Sequence, residues 1–250
     1  MLRSVPKAYR VPGGNIYTLY RNLSEKSHLL IAGATGSGKS VTVAGIIHTL
    51  LTTCSPVSCQ FTMIDPKKVE LIDYEPLPHT VQYASEPADI VAALDWSLKE
   101  TERRYSVMQK QHVKEYNGPV LYVIIDELAD LMVSMRNDTL PQLQRIAQIG
   151  RAANVRIIAC SQNIMAQTIP TVLKCNFPAV LGLRTATKSQ SRYLISAPGC
   201  ETLPDPKRVC TAYGYLRDGA DLEKHQLYMW PESEIRKLIN YWTSPACIAG

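Results

Sequence analysis

The sequence predicts an α/β fold: a mostly parallel central sheet with helices on both faces and an antiparallel hairpin near the C-terminus. Three observations predict it. Short apolar runs alternate with longer stretches of helical periodicity through most of the chain. The runs Leu29–Gly33 and Val120–Ile125 lack polar alternation, as strands covered on both faces do. After Pro198 the pattern changes to two short segments flanking Asp218-Gly219, a hairpin signal.

The elements follow in chain order. Leu29–Gly33 is the first strand, ending in a glycine-rich turn. Lys39 to Leu51 has helical spacing, with Val43, Ile46, Ile47 and Leu50 on one face. Phe61–Ile64 is a second strand, stopped by Asp65-Pro66. A long helix runs from Pro87 to about His112, its stripe formed by Ile90, Leu94, Leu98, Tyr105 and Met108. Asn117-Gly118-Pro119 is a turn, and Val120–Ile125 the next strand. Pro141–Ala153 reads as a helix, with proline at its start. Val155–Cys160 and Ala179–Leu183 are further strands. Val209–Leu216 and His225–Trp230 form the hairpin, and Glu234–Trp242 a terminal helix.

The 250 residues are 46% hydrophobic and 20% charged, which excludes a disordered chain, and no apolar run approaches a membrane span. The N-terminus lacks the apolar core of a signal peptide, so a cytoplasmic location without membrane insertion is expected. Seven cysteines without CxxC spacing are expected to be reduced thiols, and the five histidines show no metal spacing. The net charge of +5 does not by itself mark a nucleic-acid binder. Its distribution is uneven: residues 1–28 hold five basic and one acidic side chain, whereas residues 29–183 hold 13 and 14.

The chemistry concentrates at strand ends. Gly33-Ala34-Thr35-Gly36-Ser37-Gly38-Lys39-Ser40 fits GxxxxGK[ST] at every fixed position, between an apolar strand and an amphipathic helix. Glycines let successive N–H groups turn inward around phosphates, and the helix N-terminus adds positive potential. Lys39 is expected to reach the β- and γ-phosphates of ATP, and Ser40 to ligate Mg²⁺. Asp126 ends the strand Val120–Ile125 and is expected in the Mg²⁺ shell, with Glu127 beside it as general base. A base poised beside the γ-phosphate favours a hydrolase over a small-molecule kinase. Gln162, just past Val155–Cys160, is placed to position water or sense hydrolysis. Asp65-Pro66-Lys67-Lys68 carries no assigned chemistry: Asp65 reads as a helix cap, or Lys67 reaches the nucleotide or a neighbour.

Together these residues resemble the motor domain of the FtsK/SpoIIIE family of DNA translocases, and the likeness extends beyond the general nucleotide motifs. It includes Ile64-Asp65-Pro66-Lys67 with Pro78-His79, Trp96 with Glu102-Arg103-Arg104-Tyr105, Asp126-Glu127-Leu128-Ala129-Asp130-Leu131-Met132, Gly150-Arg151-Ala152-Ala153, Ser161-Gln162 and Lys188-Ser189-Gln190-Ser191-Arg192. It covers about residues 28–205. The resemblance implies a RecA-like P-loop ATPase fold, a ring of six subunits, and double-stranded DNA gripped without sequence preference in the pore. It makes Arg151 an arginine finger completing a neighbour's site, and places Lys174 and Lys188 against the DNA backbone. Asn163 stands where the family commonly has an Arg. Residues 1–27 are expected to be a basic lead segment and residues 28–250 the motor, without the family's membrane segments, preceding domain or winged-helix module. Chromosome transfer, conjugation and phage packaging are all compatible settings. A secretion-type motor that moves protein, and a non-motor ATP-binding module, are the alternatives.

Overall fold

The computed structural model describes residues 20–244 apart from 21, 167, 210 and 229. One eight-stranded sheet organises them, in the order β3-β2-β4-β5-β1-β6-β7-β8. The strands are β1 (His28–Ala32), β2 (Cys59–Ile64), β3 (Thr80–Ala84), β4 (Val120–Ile125), β5 (Val155–Ser161), β6 (Ala179–Gly182), β7 (Ala212–Asp218) and β8 (Asp221–Leu227). From β3 across to β6 every pairing is parallel; β7 and β8 add antiparallel. The β7–β8 turn closes on Gly219, with φ 60°, a left-handed conformation that glycine adopts without strain.

The unbroken apolar strands are explained by what covers each face. Along β1, Leu29 and Ile31 point into one apolar layer and Leu30 and Ala32 into the other. The first layer is closed by α1 (Lys39–Thr53), through Val43, Ile46, Ile47 and Leu50. The second is closed by α2 (Pro87–Gln111), α3 (Leu128–Ser134), α4 (Arg136–Ile149) and α5 (Lys188–Ile195). The last helix, α6 (Glu232–Thr243), returns to the first layer with Leu238 and Trp242. Tyr20 and Leu23 are fully buried in that same layer. Among the described residues no helix is long and apolar enough to cross a membrane. The described cysteines are free thiols, as expected, while Cys210 and Cys247 fall outside the described residues.

Several elements differ from expectation. The hairpin strands run Ala212–Asp218 and Asp221–Leu227 rather than Val209–Leu216 and His225–Trp230, tighter about Gly219, and Val209 instead ends a short helix, Pro206–Val209. β3 is an edge strand, mostly half-buried, so Thr80–Ala84 carries no continuous apolar run to announce it. The seven-residue α3 is too short to display a helical stripe. α4 begins at Arg136 rather than Pro141, and ends at Ile149 rather than Ala153. Pro141 is exposed inside it, so the lost backbone bond falls on the solvent side.

Candidate active site

In a parallel sheet the carboxyl ends of the strands gather on one edge, and the predicted site residues meet there. The phosphate loop leaves β1 and enters α1. Its Gly33 N–H donates to the Ser161 carbonyl at 3.2 Å, and Ala34 N–H to the Arg184 carbonyl at 2.8 Å, so two neighbouring strand ends hold the loop's entrance. At the exit Gly38 has φ 101°, and a Cβ there would lie 2.7 Å from the Ala212 Cβ on β7. The hairpin therefore packs directly on the loop, and only glycine suits this position.

Lys39 is buried within the loop's curl, its ammonium donating to the Gly33 and Ala34 carbonyls at 2.8 and 3.0 Å. Burial pulls its proton affinity below the usual lysine range, against the opposing pull of Glu127 and Asp126. Ser40 follows in the first turn of α1, half-buried. Asp126 leaves the end of β4 and donates its N–H to the Ile64 carbonyl at 3.1 Å. Burial pushes its carboxyl up to about 7, aided by the charges of Asp65, Glu70 and Glu127 and opposed by Lys67. Such a crowded, partly desolvated carboxylate is the chemistry a divalent cation would relieve.

Glu127 is 3% exposed and held from several sides. The Gln162 N–H donates to both carboxylate oxygens, at 3.0 Å to Oε1 and 3.2 Å to Oε2. The Ser161 hydroxyl lies 3.0 Å from both Glu127 Oε1 and the Asn163 carbonyl, sharing its single proton. The Gln162 side chain points elsewhere: its Oε1 accepts from the Thr35 hydroxyl at 2.9 Å, tying β5 to the phosphate loop. Lys67, on the loop after β2, brings Nζ to 3.6 Å from Glu127 Oε2 and 3.5 Å from Asp130 Oδ2. Burial works against its charge, but Glu127 and Asp130 outweigh it and raise its affinity for the proton. Lys39, Ser40, Asp126, Glu127 and Gln162 thus share one edge, as the sequence suggests. Ser161 joins them without having been given a role, and so does Lys67, for which the sequence offered only a reach toward the nucleotide or a neighbour; its signal was its motif, three residues beyond the end of β2.

The structure answers the Asp65 question differently from a helix cap. Asp65 is fully buried and its Oδ2 accepts the Leu71 N–H at 2.9 Å, pinning an irregular loop.

Arg151 is elsewhere. It is exposed in the turn between α4 and β5, at the amino end of the strands. That turn is gripped from α2. The fully buried Arg104 donates from Nη1 to the Ala153 and Asn154 carbonyls, both at 3.0 Å, and Tyr105 donates to the Ile149 carbonyl at 2.8 Å. Tyr116 lies under the Arg104 guanidinium, 4.7 Å from its ring centre. The two lysines assigned to DNA differ from each other. Lys188 is exposed at the first position of α5, behind a Thr187–Gln190 capping box. Lys174 is half-buried, donates to the Tyr193 carbonyl and sits 4.4 Å from the Tyr193 ring centre.

Comparison with known proteins places this arrangement among relatives. Residues 9–119 match the profile of the FtsK/SpoIIIE family. The DNA translocase FtsK of Rickettsia bellii is 34% identical over 228 residues, covering 74% of this chain. The DNA translocase FtsK of Clostridium acetobutylicum is 35% identical over 206 residues, covering 76%. This chain spans 30% and 27% of the length of those two relatives. Among solved structures, the pCW3 conjugation coupling protein TcpA, a monomer form with ATPγS, superposes with a TM-score of 0.75. It is 24% identical, and the match covers 88% of this chain and 66% of that one. The likeness to that structure is one of fold, over a chain whose own sheet is mostly parallel and ends in an antiparallel hairpin.

Proposed function

This chain belongs to the FtsK/SpoIIIE family, and we propose on that premise that it hydrolyses ATP to move double-stranded DNA. The observation that carries the reading is the buried Glu127, clamped by the Ser161 hydroxyl and the Gln162 N–H on the edge where the phosphate loop and Asp126 meet. A carboxylate held this way, beside Lys39 and away from bulk water, suits a general base that takes a proton from an attacking water.

The residues fit the substrate and its cation. The loop Gly33–Ser40 would cradle the triphosphate, and Lys39 would exchange its two carbonyl partners for phosphate oxygens. Ser40 and Asp126 would hold Mg²⁺, which when bound would offset phosphate charge. Gln162, linked to Thr35, would register the γ-phosphate.

Arg151 completes the reading as a residue acting in trans. It lies at the amino end of β5 and the base at the carboxyl end. The seven residues of β5 at about 3.3 Å each separate those ends by roughly 20 Å. An arginine so placed cannot serve its own phosphate loop, but it can serve a neighbour's, which calls for a ring in which each subunit completes the next, with six subunits as the family resemblance implies. The motor unit comprises residues 28–250, with 1–27 as a basic lead whose Tyr20 and Leu23 pack into it. Lys188 is the better placed of the two lysines to touch duplex DNA. The working compartment is the cytoplasm.

Filter binding of duplex DNA, paired with ATPase rates with and without that DNA, tests the proposal. Duplex binding with a DNA-stimulated rate is expected. A rate stimulated by an unfolded polypeptide and indifferent to DNA would replace it with a protein-moving motor. ATP binding without turnover would reduce the chain to an interaction module.

A further inference from the structure

The loop Asp65-Pro66-Lys67-Lys68 has a built geometry that the reaction so far leaves without a use. Its start is fixed by the Asp65 N–H on the Ala84 carbonyl at 2.9 Å, and by the Lys68 N–H returning to the Asp65 carbonyl at 3.1 Å. Lys68 adopts φ 56°, a left-handed conformation uncommon for a lysine, and pairs with Glu86 at the head of α2. The far end is fixed where buried Asp65 accepts the N–H of buried Leu71 at 2.9 Å. Between these pins Lys67 stands at the crest, and its ammonium falls between Glu127 Oε2 and Asp130 Oδ2, at 3.6 and 3.5 Å.

The asymmetry at Glu127 shows what this ammonium adds. Oε1 takes the Ser161 hydroxyl and the shorter branch of the Gln162 N–H. Oε2 takes the longer branch, at 3.2 Å, and faces Lys67. Both firm contacts therefore come from β5, on one side of the carboxylate. Lys67 comes from the loop after β2, and β2 and β5 flank β4 in the sheet. A charge on that opposite side fixes the rotation of the carboxylate about its last bond. Asp130, one turn further along α3, keeps the ammonium from collapsing onto Glu127 alone.

We propose that Lys67 is a positioning residue for hydrolysis, orienting the Glu127 carboxylate from the side that β5 does not reach. The inference rests on Glu127 being the general base. Lys67 is 43% exposed, so its ion pairs contribute little to folding, and its effect belongs in the rate.

The experiment uses the full chain. Lys67→Met and Lys67→Arg are each made alone and in a Glu127→Gln background. Single-turnover ATP hydrolysis, ATPγS affinity by calorimetry and thermal midpoints are measured. Lys67→Met should slow hydrolysis by about 10- to 100-fold, the scale of a misplaced catalytic group. ATPγS affinity should stay within about twofold and the midpoint should not move. Lys67→Arg, which keeps the charge, should recover most of the rate. In the Glu127→Gln background Lys67→Met should cost nothing further, because there is no carboxylate left to orient.

An unchanged rate in Lys67→Met overturns the inference. A tenfold loss of ATPγS affinity also overturns it, since Lys67 would then be a phosphate ligand. So does a full additional loss in the Glu127→Gln background. A Glu127→Gln protein hydrolysing at the normal rate is a distinct failure: it removes the base itself, and the orienting role falls with it.

Discussion

Replacing Arg151 with alanine separates a residue acting within its own subunit from one acting on a neighbour, and the structure sets both magnitudes. Within one chain the arginine and the phosphate site are separated by about the length of β5, roughly 20 Å. Two unit charges that far apart in water interact by about 0.2 kcal/mol, worth less than a twofold change in rate. A guanidinium delivered directly to the transferring phosphoryl contributes about 10³-fold or more. The two cases differ too widely to be confused. Folding should not blur the result, because Arg151 is exposed and its turn is held by Arg104, Tyr105, Tyr116 and the Arg151 carbonyl, which alanine keeps, rather than by the arginine side chain. Arg151→Ala should therefore bind ATPγS normally by calorimetry and hydrolyse ATP at least about 10³-fold more slowly. Mixing it in equal amounts with Glu127→Gln subunits gives the sharper readout. Where an Arg151→Ala subunit offers its intact Glu127 to a neighbour's intact Arg151, hydrolysis returns, and independent interfaces would restore about a quarter of wild-type turnover. A loss smaller than twofold, or no rescue in mixed rings demonstrated by sedimentation, would refute the reasoning.

Other expectations are checked more simply. Lys39→Ala removes the ammonium seated on the Gly33 and Ala34 carbonyls and should weaken ATPγS binding; an unchanged calorimetric affinity would contradict the phosphate-loop assignment. Glu127→Gln should keep ATP affinity and lose on the order of 10²–10⁴ in hydrolysis rate, measured by phosphate release. Gly38→Ala combines a left-handed backbone with a 2.7 Å approach to Ala212. It should lower stability to denaturant by roughly 2–4 kcal/mol, and an unmoved midpoint would show that the hairpin yields freely. Lys188→Ala should flatten the salt dependence of duplex binding by about one unit. Lys174→Ala should leave that slope alone, because its ammonium is already engaged by Tyr193.

The readable parts of this fold are those where one physical demand acts alone. β1 from Leu29 onward and β4 are covered on both faces, so those runs are apolar without interruption. The phosphate loop needs its glycines and lysine at fixed spacing, and Asp126 and Glu127 had to follow a buried strand. Where demands compete, the signal fades. Thr80–Ala84 pairs on only one side, so half-exposed Gln82 and Thr80 fit there as well as valine would. Pro141 signals a helix start, but α4 already has an exposed turn in which to absorb it. The partners of Glu127 were harder still. Ser161 and Lys67 belong to strand ends distant in sequence and become neighbours only through the order of strands across the sheet. Spacing located Gln162, whereas its stronger contribution, a backbone N–H, belongs to any residue but proline.

That last feature bears on how this site tolerates sequence drift. Gln162 divides its duties: the peptide group grips Glu127, and the side chain reaches Thr35. Asn163 follows the same pattern, its carbonyl taking both the Ser161 and the Thr168 hydroxyls at 3.0 Å. The part of the support that residues 162 and 163 supply is thus written in the backbone, where substitution of their side chains cannot erase it, while the Ser161 hydroxyl and Lys67 supply the rest through side chains. Selection can then rewrite the letters at 162 and 163 to change what the strand end senses, without misaligning the carboxylate below. At position 162 only proline would break its share of the grip, because it alone removes the backbone donor.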